Sequence, residues 1–124
     1  MKYFDNSEFD CQCGCGLLPH ASIMEKAEII RAAWGKPLNC VSGARCQKHT
    51  DDLRAAGIPA AKKSAHIDGI AIDLCPVNKK DIKAFHDFCK QHLIEWDLYM
   101  EDPAHTKSWA HLDERPRPNR IFLP

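Results

Sequence analysis

A chain of 124 residues has room for one domain with a modest core. Its 17 Lys and Arg balance 17 Asp and Glu, so the formal net charge is zero and nothing in the charge favours nucleic acid or an anionic lipid surface as a partner. No apolar run approaches the ~20 residues of a membrane span, and Met1-Lys2-Tyr3-Phe4-Asp5 has no apolar signal core, so synthesis in the cytoplasm without a signal peptide is expected.

There is no repeat and no low-complexity linker. Near the N-terminus Cys11, Cys13 and Cys15 alternate, so in an extended segment they point the same way. A helix is predicted from Ser22, where Ser22 and Glu25 form a capping box and Ile23, Met24, Ala27, Ile30 and Trp34 share a face; Gly35 ends it. Leu38 to Val41 reads as a short buried strand, and a short helix capped near Thr50 stops at Gly57. Ala60 to Ala65 reads as a loop that delivers His66. Gly69 to Leu74 reads as a strand with Ile70, Ile72 and Leu74 on one side and Ala71 and Asp73 on the other. Asn78 caps a longer helix striped by Ile82, Phe85, Phe88, Cys89 and Leu93. Glu95 to Met100 alternates like a strand, Glu101 to Lys107 is a loop, and Trp109 to Asp113 is the last strand, with Trp109, His111 and Asp113 pointing together. The Pro-rich tail carrying Arg115, Arg117 and Arg120 reads as a solvated end. Adjacent final strands favour an α+β sheet over a doubly wound one.

The seven cysteines are an odd number, so at least one stays unpaired in the monomer. Three readings stand. The plainest is buried or free thiols in a reducing compartment. The next is a disulfide between the N-terminal cluster and Cys46. The third is a second, structural metal, although the C-x-C-G-C spacing lacks the paired C-x-x-C knuckles of common zinc ribbons.

The run Ser64-Ala65-His66-Ile67-Asp68-Gly69-Ile70-Ala71-Ile72-Asp73 sets a histidine and an aspartate seven positions apart around a glycine. With Ser108-Trp109-Ala110-His111-Leu112-Asp113 it offers two imidazoles and a carboxylate, a sufficient protein ligand set for a zinc that keeps its fourth position for water. A hydrogen-bonded His-Asp pair beside the core is the competing reading of either run alone. Asp113, on the same face as His111, can orient a ligand from behind, replace a fourth-position group, or sit as a solvated strand-end carboxylate. Asp68 reads as a turn residue, Ser64 as a hydrogen-bonding partner within the loop, and His20, His86 and His92 as structural or exposed.

These residues resemble the zinc D-alanyl-D-alanine carboxypeptidases, which share a fold with the hedgehog signalling domain, and in particular the short C-terminal-type peptidase domain common in phages and prophages. Ser7-Glu8-Phe9-Asp10-Cys11-Gln12-Cys13-Gly14-Cys15-Gly16 looks like the opening of that family, Gly35-Lys36-Pro37-Leu38 like its turn after the first helix, and Ser42-Gly43-Ala44-Arg45-Cys46-Gln47-Lys48-His49 like its Ser-Gly-x-Arg-Cys-x-x-His segment. The resemblance implies an α+β, hedgehog/D,D-peptidase-like fold, with a small antiparallel or mixed sheet and helices packed on one face. It implies a single zinc peptidase domain over residues 1–124, with Zn2+ held by His66, Asp73 and His111 and with Arg45 binding a substrate carboxylate or carbonyl oxygen. The competing reading of Arg45 is a surface or structural salt bridge, and His49 matches a family position with packing as its default role.

One position departs from the pattern. Many relatives carry Glu, Asp or His as general base shortly before the last ligand, often three residues upstream, where this chain has Ser108. A serine hydroxyl takes no proton at neutral pH, so the role passes to His105, Glu101, Asp102 or Glu114, with His105 preferred because imidazole titrates near pH 7. The expected activity is zinc-dependent hydrolysis of amide bonds in peptidoglycan stem peptides, as a D,D-carboxypeptidase or endopeptidase of endolysin type. The stem peptide is the expected partner, with no nucleic acid and no membrane, and the chain is expected to be a monomer that acts at the cell wall after phage-mediated release. The alternative is a non-catalytic zinc-binding module of the same fold that binds cell-wall peptide or a protein partner.

Overall fold

The computed structural model describes residues 1–58, 60 and 63–124. In chain order the elements are α1 (Asn6–Phe9), α2 (Ala21–Trp34), β1 (Leu38–Ser42), α3 (Gln47–Ala55), β2 (Ala71–Pro76), a 3-10 turn (Lys79–Asp81), α4 (Ile82–Trp96), β3 (Tyr99–Glu101), β4 (Ala110–Asp113) and β5 (Ile121–Phe122). The five strands form one sheet in the order β1-β2-β4-β3-β5. All its pairs are antiparallel except β3 with β5, so the fold is α+β with a mixed sheet, as expected.

The core follows from two periodicities. Ile23, Ala27 and Ile30 recur at helical spacing on α2, and Phe85, Cys89, Leu93 and Trp96 on α4. They pack against Ile72, Leu74, Ala110 and Leu112, the alternate side chains of β2 and β4. The pairs Ile72 with Leu112 and Leu74 with Ala110 face this core. Period-two alternation then turns Asp73 and His111 to the opposite face. Trp34 meets Phe85 nearly edge-on with ring centroids 5.2 Å apart, which locks α2 to α4.

Several boundaries differ from the sequence expectations. Helix α2 begins at Ala21, and the Ser22 and Glu25 box is not its cap: the Ser22 hydroxyl donates to Glu114 at 2.6 Å. Gly35 does end the helix, with φ of 78°. Helix α3 is capped by the Cys46 thiol, which accepts from the His49 N–H, and Thr50 lies within the helix and donates to the Cys46 carbonyl. The segment Glu95 to Met100 is not one strand. Helix α4 runs on to Trp96, Asp97 reverses the chain at φ of 51°, and only Tyr99–Glu101 extends. Trp96, Leu98 and Met100 are all buried, so alternation imitated a strand where a helix end and a turn supply the same burial. Strand β2 is shifted two residues toward the C-terminus of the span read from sequence. The short helix α1 and the strand β5 were not expected. Residues 61 and 62 of the loop read at 60–65 lie outside the described residues.

Candidate metal centre and cleft

Cross-strand register builds the site. Asp73 on β2 stands directly opposite His111 on β4. Asp113 is two residues on, on the same face and opposite Ala71, and is fully buried. His66 comes from a compact turn before β2. There Ile70 N–H donates to the Ala65 carbonyl at 3.2 Å, Gly69 N–H to the His66 carbonyl at 3.3 Å, and the Ser64 hydroxyl accepts from the His66 N–H at 3.1 Å. Gly69 takes φ of 73° with the His20 ring against it, which suits a residue without Cβ.

The hydrogen bonds orient every ring nitrogen. His66 Nδ1 lies 2.7 Å from the Gly43 carbonyl, which can only accept, so Nδ1 carries a proton and, in the neutral ring, Nε2 presents its lone pair. That lone pair faces Asp73 Oδ1 at 3.2 Å. His111 Nε2 lies 2.7 Å from Asp113 Oδ2, and His111 Nδ1 lies 2.9 Å from the same Asp73 Oδ1. With His66 neutral, two acceptors face one another across the site, an arrangement that a cation between them satisfies as a second proton on His66 would. His66, Asp73 and His111 are all buried or nearly so, and their ligand atoms all lie within 4.8 Å of one another. Two ligands at 2.0–2.1 Å from a tetrahedral zinc are roughly 3.3 Å apart, close to the separations seen here. The donor set therefore fits a zinc ion through His66 Nε2, Asp73 Oδ1 and His111 Nδ1. The Gly43 carbonyl and Asp113 then hold the outer nitrogens of the two rings.

The charges are coupled. Burial disfavours an ionised Asp73, but His66 and His111 outweigh it and hold the carboxyl well below the usual range. Burial likewise disfavours a charged His111, and Asp113 and Asp73 overcome it and raise the imidazole to about 9. Burial opposes the Asp113 charge too, yet His111 and Arg117 keep its carboxyl low.

A cleft of about 300 Å³ opens over His111, lined also by Ser64, Glu101, Arg115, Arg117 and Phe122. Arg117 donates to Asp113 Oδ1 at 2.5 Å and lies 3.4 Å from the centroid of the Phe122 ring. Phe122 in turn sits edge-on to His111 at 5.9 Å. The tail is docked, not solvated: Arg115 pairs with Asp68 and Arg120 with Asp97, and β5 bonds to β3 through Met100 N–H to the Arg120 carbonyl at 2.7 Å. Arg117 and Phe122 escaped sequence reading because their partners are distant in the chain; a Pro-rich basic run carries no local signal of a docked strand.

The proton-transfer candidates separate by position. Glu101 follows Met100, which pairs with Leu112 facing the core, so it lies on the His111 side and lines the cleft. Its carboxylate makes no ion pair among the described residues. His105 is exposed in the turn after Asp102 and does not line the cleft. Asp102 accepts from the Ala104 N–H, and Glu114 is bound to Lys26 at 2.7 Å and to Ser22. Ser108 is exposed and lines a different cavity with Cys75 and Lys107.

Arg45 is tied to the site by its backbone, which donates to the His66 carbonyl at 3.1 Å. Its side chain lines a second cavity of about 330 Å³ with Gln12, Val41, His49 and Ile58, and pairs with no carboxylate among the described residues. His86 is structural: its Nε2 bonds to the Trp109 carbonyl at 2.6 Å and ties α4 to the start of β4. His92 pairs with Glu95. No helix of the described residues is long and apolar enough to cross a membrane.

The model of a protein family described as Peptidase M15 matches residues 2–113, which include His66, Asp73, His111 and Asp113 and stop short of β5. No curated protein matches the chain.

Proposed function

The chain belongs to the Peptidase M15 family, whose members are zinc-dependent peptidases of the D-alanyl-D-alanine carboxypeptidase kind, and from that premise we propose that it hydrolyses amide bonds in peptidoglycan stem peptides at the His66, Asp73 and His111 centre. The observation that carries this reading is the convergence of His66 Nε2, Asp73 Oδ1 and His111 Nδ1 at the edge of an open cleft, with both outer ring nitrogens already engaged. Zinc held there supplies a Lewis acid and a water of lowered pKa.

The chain's own residues divide the remaining work. The Gly43 carbonyl and Asp113 fix the tautomers that leave a lone pair on each ligating nitrogen. Glu101, in no ion pair among the described residues and on the His111 side of the cleft, takes the place that Ser108 leaves vacant as proton acceptor and later donor. His105 is the second candidate and would need its exposed turn to fold inward. Arg45, whose guanidinium pairs with no carboxylate among the described residues, is suited to the carboxylate at the end of a stem peptide. Residues 1–124 act as a single domain in this reading, and release by a phage is the route to the wall that the family resemblance suggests.

The test is turnover by zinc-loaded protein on defined stem peptides, offered both as carboxypeptidase and as endopeptidase substrates. Release of D-alanine or internal cleavage, abolished by chelator and restored by zinc, is the expected result. Arg45→Ala should lower kcat/KM roughly 30-fold, the loss of one charge-assisted contact of about 2 kcal/mol. Fully loaded protein that turns over neither substrate class would instead favour a zinc-binding module, the reading that Ser108 at the usual base position keeps open.

A further inference from the structure

Four of the seven cysteines meet at one point, away from the cleft. Cys11, Cys13, Cys15 and Cys46 each present a sulfur, and all four sulfurs lie within 4.8 Å of one another. Cys11 Sγ is 3.4 Å from Cys13 Sγ, and Cys13 Sγ is 3.6 Å from Cys46 Sγ. Sulfurs bound at about 2.3 Å to a tetrahedral ion are roughly 3.8 Å apart, so these spacings approach those of a tetrathiolate shell. We propose that Cys11, Cys13, Cys15 and Cys46 bind a second, structural zinc ion.

The backbone is arranged for this. Three alternating cysteines in an extended strand would point in parallel but lie well apart. Here residues 12–15 form turns, and Gly14 and Gly16 take φ of 84° and 82°, which folds the three thiols inward. Gly14 N–H donates to the Cys11 carbonyl at 3.1 Å, and Cys11 N–H donates to the Leu17 carbonyl at 2.8 Å, closing the loop. The fourth sulfur comes from the N-cap of α3, where the helix dipole favours negative charge. Backbone N–H groups already point at two of the sulfurs: Cys46 N–H to Cys11 Sγ at 3.4 Å and His49 N–H to Cys46 Sγ at 3.3 Å. Such donors stabilise thiolates, and the ion's two positive charges offset two of the four negative ones. On binding, the four thiols release their protons to solvent. Cys13 and Cys15 are exposed on the surface, which is a reactive arrangement for free thiols and an ordinary one for the outer edge of a closed metal shell.

The position gives the ion a purpose. Cys46 immediately follows Arg45, and the Gly43 carbonyl three residues earlier orients His66. The Phe9 carbonyl, just before Cys11, accepts from the Ala44 N–H at 2.8 Å. A zinc there pins the N-terminal segment to the strand-to-helix connection that supports the His66 loop.

Elemental analysis of the reduced, full-length chain should find two zinc ions per molecule, falling to one in a His66→Ala, His111→Ala variant and to one in a variant with all four cysteines changed to serine. Because the cysteine variant can fail to fold, the deciding measurement is made on wild-type protein loaded with cobalt. Thiolate ligation produces an intense near-ultraviolet charge-transfer band that two imidazoles and a carboxylate cannot give. That band should persist in the His66→Ala, His111→Ala variant and vanish in a Cys13→Ser, Cys46→Ser variant. Cobalt-loaded wild type without the band would overturn the proposal, as would the mass deficit of a disulfide joining any two of these cysteines in zinc-replete protein. Since the histidine variants report on the other site, failure at one is readable independently of failure at the other.

Discussion

Replacing Asp113 with asparagine probes how the proposed metal centre is held from behind. The carboxylate is fully buried and acts only as an acceptor: Oδ2 takes the His111 Nε2 proton at 2.7 Å, and Oδ1 takes Arg117 at 2.5 Å and the Arg115 N–H at 3.1 Å. Asparagine keeps the shape but turns one of these two positions into a donor. If its oxygen stays with the arginines, its amide faces His111 Nε2, which must then become an acceptor. The imidazole proton moves to Nδ1, and the lone pair aimed at the metal is lost. If the amide flips, a buried amide donor meets two other donors. Either way zinc affinity at this centre should fall 10- to 100-fold, about 1.4 to 2.7 kcal/mol, the usual scale for losing an outer partner of a metal-bound histidine. The assay is competition against a chromophoric chelator, following the equivalent of zinc that His66→Ala, His111→Ala removes. A Kd for that equivalent within twofold of wild type would refute the tautomer argument.

Changing Glu101 to Gln should leave zinc bound and lower peptide turnover by about 100-fold or more, whereas His105→Ala should change little; the reverse order would assign proton transfer to His105. Stripping zinc with a chelator should lower the melting temperature: an ion held at a hundred times its Kd contributes about 2.7 kcal/mol, or roughly 10 °C in a domain of this size, and an unchanged curve after confirmed removal would count against metal-coupled stability. A Cβ on Gly43 would meet the Phe9 carbonyl oxygen at 2.2 Å and its Cα at 2.7 Å, both backbone atoms that cannot swing aside. Gly43→Ala should therefore destabilise by about 1 to 3 kcal/mol in urea unfolding, and an unshifted midpoint would contradict that packing.

Local pattern was sufficient for the helical stripes of α2 and α4, the glycine stop at Gly35, and the placement of Asp73 and His111 on strands with their polar side away from the core. Each depends on a period of 3.6 or 2 that a window of a dozen residues displays. It also drew attention to His66, Asp73 and His111, because a histidine and an aspartate around a glycine, followed by a histidine on an alternating strand, are unusual together, and the family resemblance then made them the expected ligand set. Pattern misled where two geometries bury the same residues, as at Trp96, Leu98 and Met100. It was silent where the partner lies far along the chain. The register that sets Asp73 against His111, the Gly43 carbonyl on His66, Arg117 bridging Asp113 and Phe122, and the gathering of Cys46 with Cys11, Cys13 and Cys15 all join segments 23 or more residues apart or depend on a strand no local run announces. Glu101 stands for the rest: in sequence it is one of four carboxylates and imidazoles near the last strand, and only the pairing of β3 with β4 turns it toward the cleft. Hydrogen-bond direction and side-chain convergence are properties of the packed chain, and no one-dimensional period encodes them.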